Sequence, residues 1–90
     1  MSHLPAQKSK LLARVRRLKG QMDAIERALE AEAPCGEVLN LVASVRGAIG
    51  GLTAELIEDH IREHVANAPD APSREKGAAE LVDVVRTYLR

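Results

Sequence analysis

The sequence predicts an all-α protein with three helices in a single domain, residues 1–90. Ninety residues lie within the size range of one domain. The only aromatic residue is Tyr88, so the apolar surface must consist of Leu, Val, Ile and Ala, a composition typical of packed helices rather than sheets. Apolar positions also recur at steps of three and four, the period of an α-helix.

The first predicted helix runs from about Pro5 or Ala6, since proline suits a first helical turn, to about Ala31. Steps of four and three alternate along its apolar positions and form a heptad seam: Leu11, Val15, Leu18, Met22, Ile25 and Leu29. The pair Ala33 and Pro34 interrupts this pattern, so we expect the helix to end before it.

The second predicted helix runs from Pro34 to about Asn67 and would be ~48 Å long at 1.5 Å per residue. It repeats the heptad spacing at Val38, Val42, Val45, Ile49, Leu52 and Leu56. Gly47, Gly50 and Gly51 lower its helix propensity. We interpret them as permitting close backbone approach rather than ending the helix.

A linker at residues 68–73 contains two prolines and precedes the third predicted helix, from roughly Arg74 to Leu89. Asp70 or Ser73 is the expected cap of this helix. Its apolar stripe consists of Leu81, Val84, Val85, Tyr88 and Leu89.

Two long helices with narrow apolar seams and a short third helix cannot enclose a core within one chain. An intrachain disulfide is excluded, since Cys35 is the only cysteine, but two copies of the helical hairpin can form a four-helix bundle. We therefore expect an obligate dimer at least, with the third helix covering the bundle or joining dimers. The sequence shows neither a membrane-spanning apolar run nor a signal-peptide core, which predicts a cytoplasmic protein.

The net charge of zero conceals a strong asymmetry along the chain. Residues 1–22 contain six basic residues and no acidic one, whereas residues 23–90 contain seven basic and thirteen acidic residues. Exposed helices usually mix both signs, so this segment favours a polyanionic partner. The lack of aromatic stacking platforms argues against single-stranded nucleic acid.

His60 and His64 are spaced i and i+4 on the second helix, where two imidazoles can chelate one metal ion. The alternative is that both are ordinary surface histidines. Cys35 lies ~37 Å away along a continuous helix, but antiparallel pairing of two second helices brings Cys35 of the partner subunit to the histidines. The first helix returns His3 to the same end, so we expect all three histidines and the cysteine to converge.

Several segments together resemble the CsoR/RcnR family, small all-helical bacterial repressors that sense metal ions, formaldehyde or sulfur species. They are the run from Arg14 to Gln21 (RVRRLKGQ), Cys35, residues 45–48 (VRGA), His60 with His64, and residues 85–90 (VRTYLR). The resemblance implies a homotetramer built as a dimer of dimers. It also implies binding of double-stranded operator DNA without a helix-turn-helix, with release when inducer binds. An enzyme is not expected, because no enclosed pocket or nucleophile–base pair can be assigned within so small a bundle.

On the DNA side, the resemblance and the basic segment together indicate five candidate phosphate contacts. Arg14 and Arg17 are spaced i and i+3 and so share a helix face. The full candidate set is Lys8, Lys10, Arg14, Arg17 and Arg46. The resemblance further suggests a G/C-tract operator read partly by its shape.

The sensing positions distinguish the branches of the family. Copper(I) sensors carry a second cysteine at the position of His64, persulfide sensors carry cysteine at that of His60, and formaldehyde sensors usually have proline at position 2. This chain begins with Ser2 and His3 and otherwise carries Cys35, His60 and His64, which matches the nickel/cobalt branch. The predicted function is therefore an apo-repressor that releases DNA on binding Ni(II) or Co(II) and derepresses a metal efflux gene.

Removal of Met1 would free the amine of Ser2, which with His3 adds nitrogen donors that suit Ni(II) or Co(II), with Zn(II) possible in vitro. Glu63 is a further ligand, a residue that orients a ligand, or a solvated acid. A second hypothesis is a formaldehyde-responsive repressor that uses Cys35 and the N-terminal amine. A helical interaction module that does not bind DNA is a third, but it leaves the acid-free segment unexplained.

Overall fold

The computed structural model describes residues 7–88 and shows three α-helices, as predicted. They are α1 (Lys8–Glu30), α2 (Cys35–Ile61) and α3 (Ala71–Tyr88), and a π-helical turn (Arg62–Ala66) follows α2 directly. Residues 7–88 contain no β-strand. The all-α prediction is confirmed.

The chain divides into two compact units. Within the described residues, the N-terminal unit covers residues 7–53 and contains α1 with most of α2. The C-terminal unit covers residues 54–88 and contains the end of α2, the π-helical turn and α3. The predicted basic residues fall in the first unit, and the two central histidines fall in the second.

A left-handed residue ends α1. Glu32 has φ 55°, and its N–H donates to the carbonyl of Leu29 at 3.1 Å, while the N–H of Ala33 donates to that of Ala28 at 2.9 Å. These two bonds satisfy carbonyls that the last helical turn would otherwise leave unpaired. The predicted break before Pro34 is thereby confirmed.

The beginning of α2 differs from the prediction by one residue. Pro34 precedes the helix, and its carbonyl accepts the N–H groups of Glu37 at 2.9 Å and Val38 at 3.3 Å. Cys35 is thus the first helical residue. The ring of Pro34 suits this place because no partner is needed for the N–H that proline lacks.

The glycines of α2 do not end the helix, as expected. A Cβ atom at Gly47 or Gly50 would meet nothing within 4 Å, and one at Gly51 would lie 3.0 Å from a guanidinium nitrogen of Arg14. Among the glycines of α2, the close approach is therefore made by a side chain, at Gly51, and not by a backbone.

The predicted heptad seams lie largely uncovered in the single chain. Leu11 and Val45 are the buried hydrophobic residues of the described part, whereas Met22 is 53% and Leu29 60% exposed. Exposed apolar residues at heptad spacing favour a helical partner surface. The burial pattern agrees with the expectation that one chain does not enclose a core.

The end of α2 departs from the prediction in helix type. The predicted helix reaches about Asn67, but its last turn is π-helical, with the N–H of Asn67 donating to the carbonyl of Arg62 at 3.0 Å. Apolar periodicity does not reveal such a turn, because the widening shifts the register by only one residue. Single π-helical turns occur frequently at functional sites.

The third helix begins at Ala71, three residues earlier than predicted. Asp70 caps it, since its Oδ1 accepts the N–H of Ser73 at 2.8 Å and its carbonyl accepts the N–H of Arg74 at 3.1 Å. Pro72 is tolerated because it lies in the first turn. The predicted C-terminal residue Leu89 lies outside the described residues.

The carboxyl group of Asp70 has a pKa below its ordinary value, chiefly because it accepts the Ser73 backbone N–H, with the Ser73 side chain and the charge of Arg74 adding to this.

α3 packs against the π-helical turn and buries Gly77 there. Along residues 7–88, no helix has both the length and the apolar content needed to cross a bilayer.

Candidate functional site

The two histidines predicted to act together lie side by side. His60 is the second-last residue of α2 and His64 belongs to the π-helical turn; their ring centroids are 4.9 Å apart with planes tilted by 38°. Both side chains are partly buried. The two imidazoles are therefore neighbours, although the helix changes from α to π geometry between them.

A hydrogen bond to α3 orients His60. The Nε2 atom of His60 lies 2.9 Å from the carbonyl oxygen of Gly77. Because a carbonyl only accepts, we infer that Nε2 carries the proton and that the lone pair of the neutral ring is on Nδ1. Metal-binding histidines commonly donate their second ring nitrogen in this way, so Nδ1 is the donor atom that His60 offers.

Two residues of α3 surround this hydrogen bond. A carboxylate oxygen of Glu80 lies 3.8 Å from Nε2 of His60. Gly77 is buried against His64, and a Cβ atom built on it would overlap the His64 carbonyl oxygen and lie 2.8 Å from the carbonyl carbon. Both histidines are therefore in contact with the same turn of α3.

The histidine pair supplies part of a metal site. Within the described residues, no group of three His, Cys, Asp or Glu side chains comes together to hold a metal ion. Protein metal sites of the zinc type take three or four protein ligands, so two imidazoles fit a metal only when other donors complete the set. Completion of the site by a second chain stays a prediction.

The other predicted donors are placed as follows. Cys35 is an exposed, free thiol at the first residue of α2. Glu63 lies in the π-helical turn and is exposed. His3 and Ser2 lie outside the described residues.

The predicted basic face contains a groove in the N-terminal unit. Arg14 and Arg17 share one side of α1, as their spacing predicts, and line a pocket of about 140 Å³. The complete lining is Arg14, Arg17, Leu18, Gln21 and Ala48. Two guanidinium groups beside an apolar floor are suited to contact the sugar-phosphate backbone of DNA.

The remaining candidate phosphate contacts are exposed. Lys8 and Lys10 occupy the first turn of α1, and Arg46 lies on α2. The Oε1 atom of Gln21 is buried in the groove and has no hydrogen-bond partner in the described part of the chain. Gln21, the last residue of the run that resembles the family, thus lines the groove with both arginines.

Sequence reasoning missed two residues of the C-terminal unit. For Gly77 a signal exists, since an isolated glycine inside a helical pattern often has a packing reason. Asp59 is only 6% exposed; its Oδ1 accepts Arg62 at 3.2 Å, and its Oδ2 has no hydrogen-bond partner among the described residues. No sequence signal distinguishes this carboxylate from its solvated neighbours.

Comparisons with known proteins agree on the kind of protein. Residues 7–87 match a family model described as metal-sensitive transcriptional repressor. The chain is 50% identical to an uncharacterised protein of the bioA 5′ region of Serratia marcescens and 34% identical to the transcriptional repressor RcnR of Salmonella paratyphi B, covering 100% of each chain in both cases. A solved structure of a glutamate-to-histidine variant of the formaldehyde-responsive regulator FrmR, from Salmonella enterica serovar Typhimurium, is 41% identical. It has a TM-score of 0.88 over 97% of this chain and 99% of that one.

Proposed function

Because the chain belongs to the CsoR/RcnR family of metal-sensitive transcriptional repressors, which are not enzymes, we propose that it senses nickel or cobalt. Apo-protein binds operator DNA, and Ni(II) or Co(II) releases it, derepressing a metal efflux gene. The observation that carries the choice of inducer is the adjacent pair His60 and His64, whose rings lie 4.9 Å apart. Several nitrogen donors with one thiolate suit Ni(II) and Co(II), whereas Cu(I) prefers more thiolates than this chain has.

The complete donor set comes from two chains. His60 and His64 of one chain meet Cys35 of the partner subunit, with His3 and the Ser2 amine adding nitrogen donors. Two observations support this arrangement: the described residues hold too few donors in one place, and apolar residues at heptad spacing are exposed. Two such chains form a four-helix bundle, and two bundles form the tetramer.

The residues of the C-terminal unit prepare the donors. The carbonyl of Gly77 holds the proton of His60 on Nε2, which leaves the Nδ1 lone pair for coordination. When bound, the metal supplies a link between donors of two chains. Because the donors belong to different subunits, closing the set favours one arrangement of the dimer over another, and a differential affinity of about 1–3 kcal/mol suffices for such coupling.

DNA binding is assigned to the basic residues of the N-terminal unit. Arg14 and Arg17 line the groove, and Lys8, Lys10 and Arg46 are exposed cations of the same unit. Contacts of this kind position a protein on DNA through phosphates and release counterions, so affinity falls steeply with salt. The operator is double-stranded and, by family resemblance, contains a G/C tract.

The second candidate is a formaldehyde-responsive repressor, favoured by the 41% identity to a variant of FrmR and by the exposed thiol of Cys35. The thiolate adds to the carbonyl carbon of formaldehyde, and the oxygen takes up a proton to give an S-hydroxymethyl group. The Ser2 amine then displaces this hydroxyl as water, which leaves a methylene bridge between sulfur and nitrogen. Neither step needs an oxidant or reductant.

Release of a fluorescent operator fragment separates the two candidates. Reduced apo-protein bound to DNA is titrated with Ni(II), Co(II), Zn(II) and formaldehyde in parallel. Both candidates use Cys35, whereas only metal sensing uses the second histidine, so His64→Ala is the decisive variant. Release of DNA by Ni(II) or Co(II) that is lost in His64→Ala supports the proposal. Release of DNA by formaldehyde alone, retained in His64→Ala, supports the alternative.

A further inference from the structure

We propose that Gly77 is a positioning residue of the histidine site, where the absence of a side chain lets α3 lie directly on the π-helical turn. The proposal deepens the metal-sensing function above. Gly77 touches both histidines: its carbonyl accepts Nε2 of His60 at 2.9 Å, and its Cα faces the peptide group of His64. One residue of α3 thus fixes the orientation of the His60 ring and lies against the backbone and Cβ of His64.

The steric requirement at Gly77 is strict. A Cβ atom there would overlap the His64 carbonyl oxygen and stand 2.8 Å from its carbonyl carbon and 2.9 Å from its Cβ. All three atoms belong to the backbone or to the first side-chain atom, so no rotamer change removes the overlap. A methyl group at this position must displace α3 or reshape the π-helical turn.

A movement of α3 breaks the orienting hydrogen bond. A movement of α3 sufficient to relieve the overlap carries the carbonyl of Gly77 beyond hydrogen-bond distance of His60, since such bonds weaken steeply beyond about 3.2 Å. Nε2 then no longer has a fixed acceptor, and the neutral imidazole exchanges between its two tautomers. The Nδ1 lone pair is no longer reserved for metal.

The chain contains a matched control for this effect. Gly20 is also a helical glycine, but a Cβ atom on it would meet nothing within 4 Å. Gly20→Ala therefore reports the ordinary effect of alanine in a helix without a clash. Glu80→Gln provides a second comparison, because Glu80 is the other group of α3 near Nε2 of His60, at 3.8 Å.

The first measurement uses the apo-protein and needs no metal. Nitrogen-15 imidazole shifts of His60 are recorded for the parent protein, Gly77→Ala, Gly20→Ala and Glu80→Gln. We expect a fixed Nε2–H tautomer in the parent and in both comparison variants, and averaged tautomers in Gly77→Ala. A fixed Nε2–H tautomer in Gly77→Ala overturns the proposal, as does loss of the tautomer in Glu80→Gln alone.

The second measurement is Co(II) affinity by competition with a chelator. We expect Gly77→Ala to bind Co(II) about 10–100-fold more weakly than the parent, the usual effect of losing a group that orients a metal ligand, and Gly20→Ala to match the parent. An affinity within twofold of the parent overturns the proposal, and so does a Gly77→Ala protein that has lost its helical circular dichroism, because Gly77 would then act in folding alone. A parent protein that binds neither Co(II) nor Ni(II) refutes the metal-sensing function, whereas the tautomer comparison still decides the role of Gly77.

Discussion

The N-terminal and C-terminal units each contain a helical glycine under close contact, but the two contacts differ in stiffness. At Gly51 the neighbour is a guanidinium nitrogen of Arg14, 3.0 Å from a Cβ position, and this is the far end of a flexible side chain. At Gly77 the neighbour is the backbone of His64. The comparison shows an adjustable side-chain contact at the glycine of the N-terminal unit and a fixed backbone contact at that of the C-terminal unit.

The largest expected effect tests whether the histidines of the C-terminal unit need Cys35 of the partner subunit to bind metal. Cys35→Ala and the double variant His60→Ala/His64→Ala should each lose high-affinity nickel binding as pure proteins. Refolded together, they form mixed dimers as about half of all dimers, each with one whole site, so about a quarter of all sites should recover at a two-fold interface. Thiolate-to-nickel charge-transfer absorption measures the recovery.

Size-exclusion chromatography with differently tagged chains confirms that mixed dimers have formed. If they form and no charge-transfer band returns, the cysteine and the histidines do not share an ion. The metal-sensing proposal would then lose its central support.

The next largest effect tests DNA binding by the arginines of the N-terminal unit. Arg14→Ala and Arg17→Ala should each weaken operator binding by about tenfold, because each removes one phosphate contact. The slope of log affinity against log salt concentration should also become shallower by about one. Fluorescence anisotropy at several salt concentrations measures both quantities. Arg27→Ala is the matched control, since Arg27 is an exposed arginine in the last turn of the same helix; equal losses in all three variants would argue against a defined basic face.

A smaller effect on operator affinity is expected from substitution of one of two adjacent glycines of α2. A methyl group at Gly51 meets the Arg14 guanidinium and must shift it, whereas one at Gly50 meets nothing within 4 Å. We expect Gly51→Ala to change operator affinity by about two- to fivefold, because a displaced arginine loses part of a contact worth about 1 kcal/mol. Gly50→Ala should retain the affinity of the parent.

Both substitutions also raise helix propensity by up to about 1 kcal/mol, which thermal unfolding of each variant measures. Equal operator affinities for Gly50→Ala and Gly51→Ala would show that the position of Arg14 does not depend on Gly51. Of the two close contacts, only that at Gly77 would then affect the position of a functional side chain.

The smallest effect concerns the start of α3. The lowered pKa of Asp70, caused mainly by the Ser73 backbone N–H, means that its contribution to stability is present above the ordinary carboxyl pKa. That contribution is lost as the pH falls through the lowered pKa of the folded protein. We therefore expect the amide of Ser73 to lose protection from hydrogen exchange in acid. Asp70→Asn keeps a capping oxygen but does not titrate there, so it should lack this change.

Much of the fold and part of the site follow from the sequence. Alternating steps of three and four predict the helices because burial of one helical face requires that period. The pairing of His60 with His64 is equally local, since residues four apart on a helix are neighbours. The family resemblance rests on several segments spread along the chain, among them the run from Arg14 to Gln21, and the family match over residues 7–87 confirms it.

The tertiary structure decided what depends on contacts distant in the sequence. The bond between His60 and Gly77 joins residues 17 apart, and its existence depends on how α3 crosses the π-helical turn. Asp70 and Ser73 are both good caps, and only the position of the first turn selected Asp70. Each residue contributes only a fraction of a kcal/mol to helix propensity, but the sum over a segment indicates that a helix forms. Which of its atoms meet another helix depends on packing between surfaces, and a one-dimensional pattern does not contain that geometry.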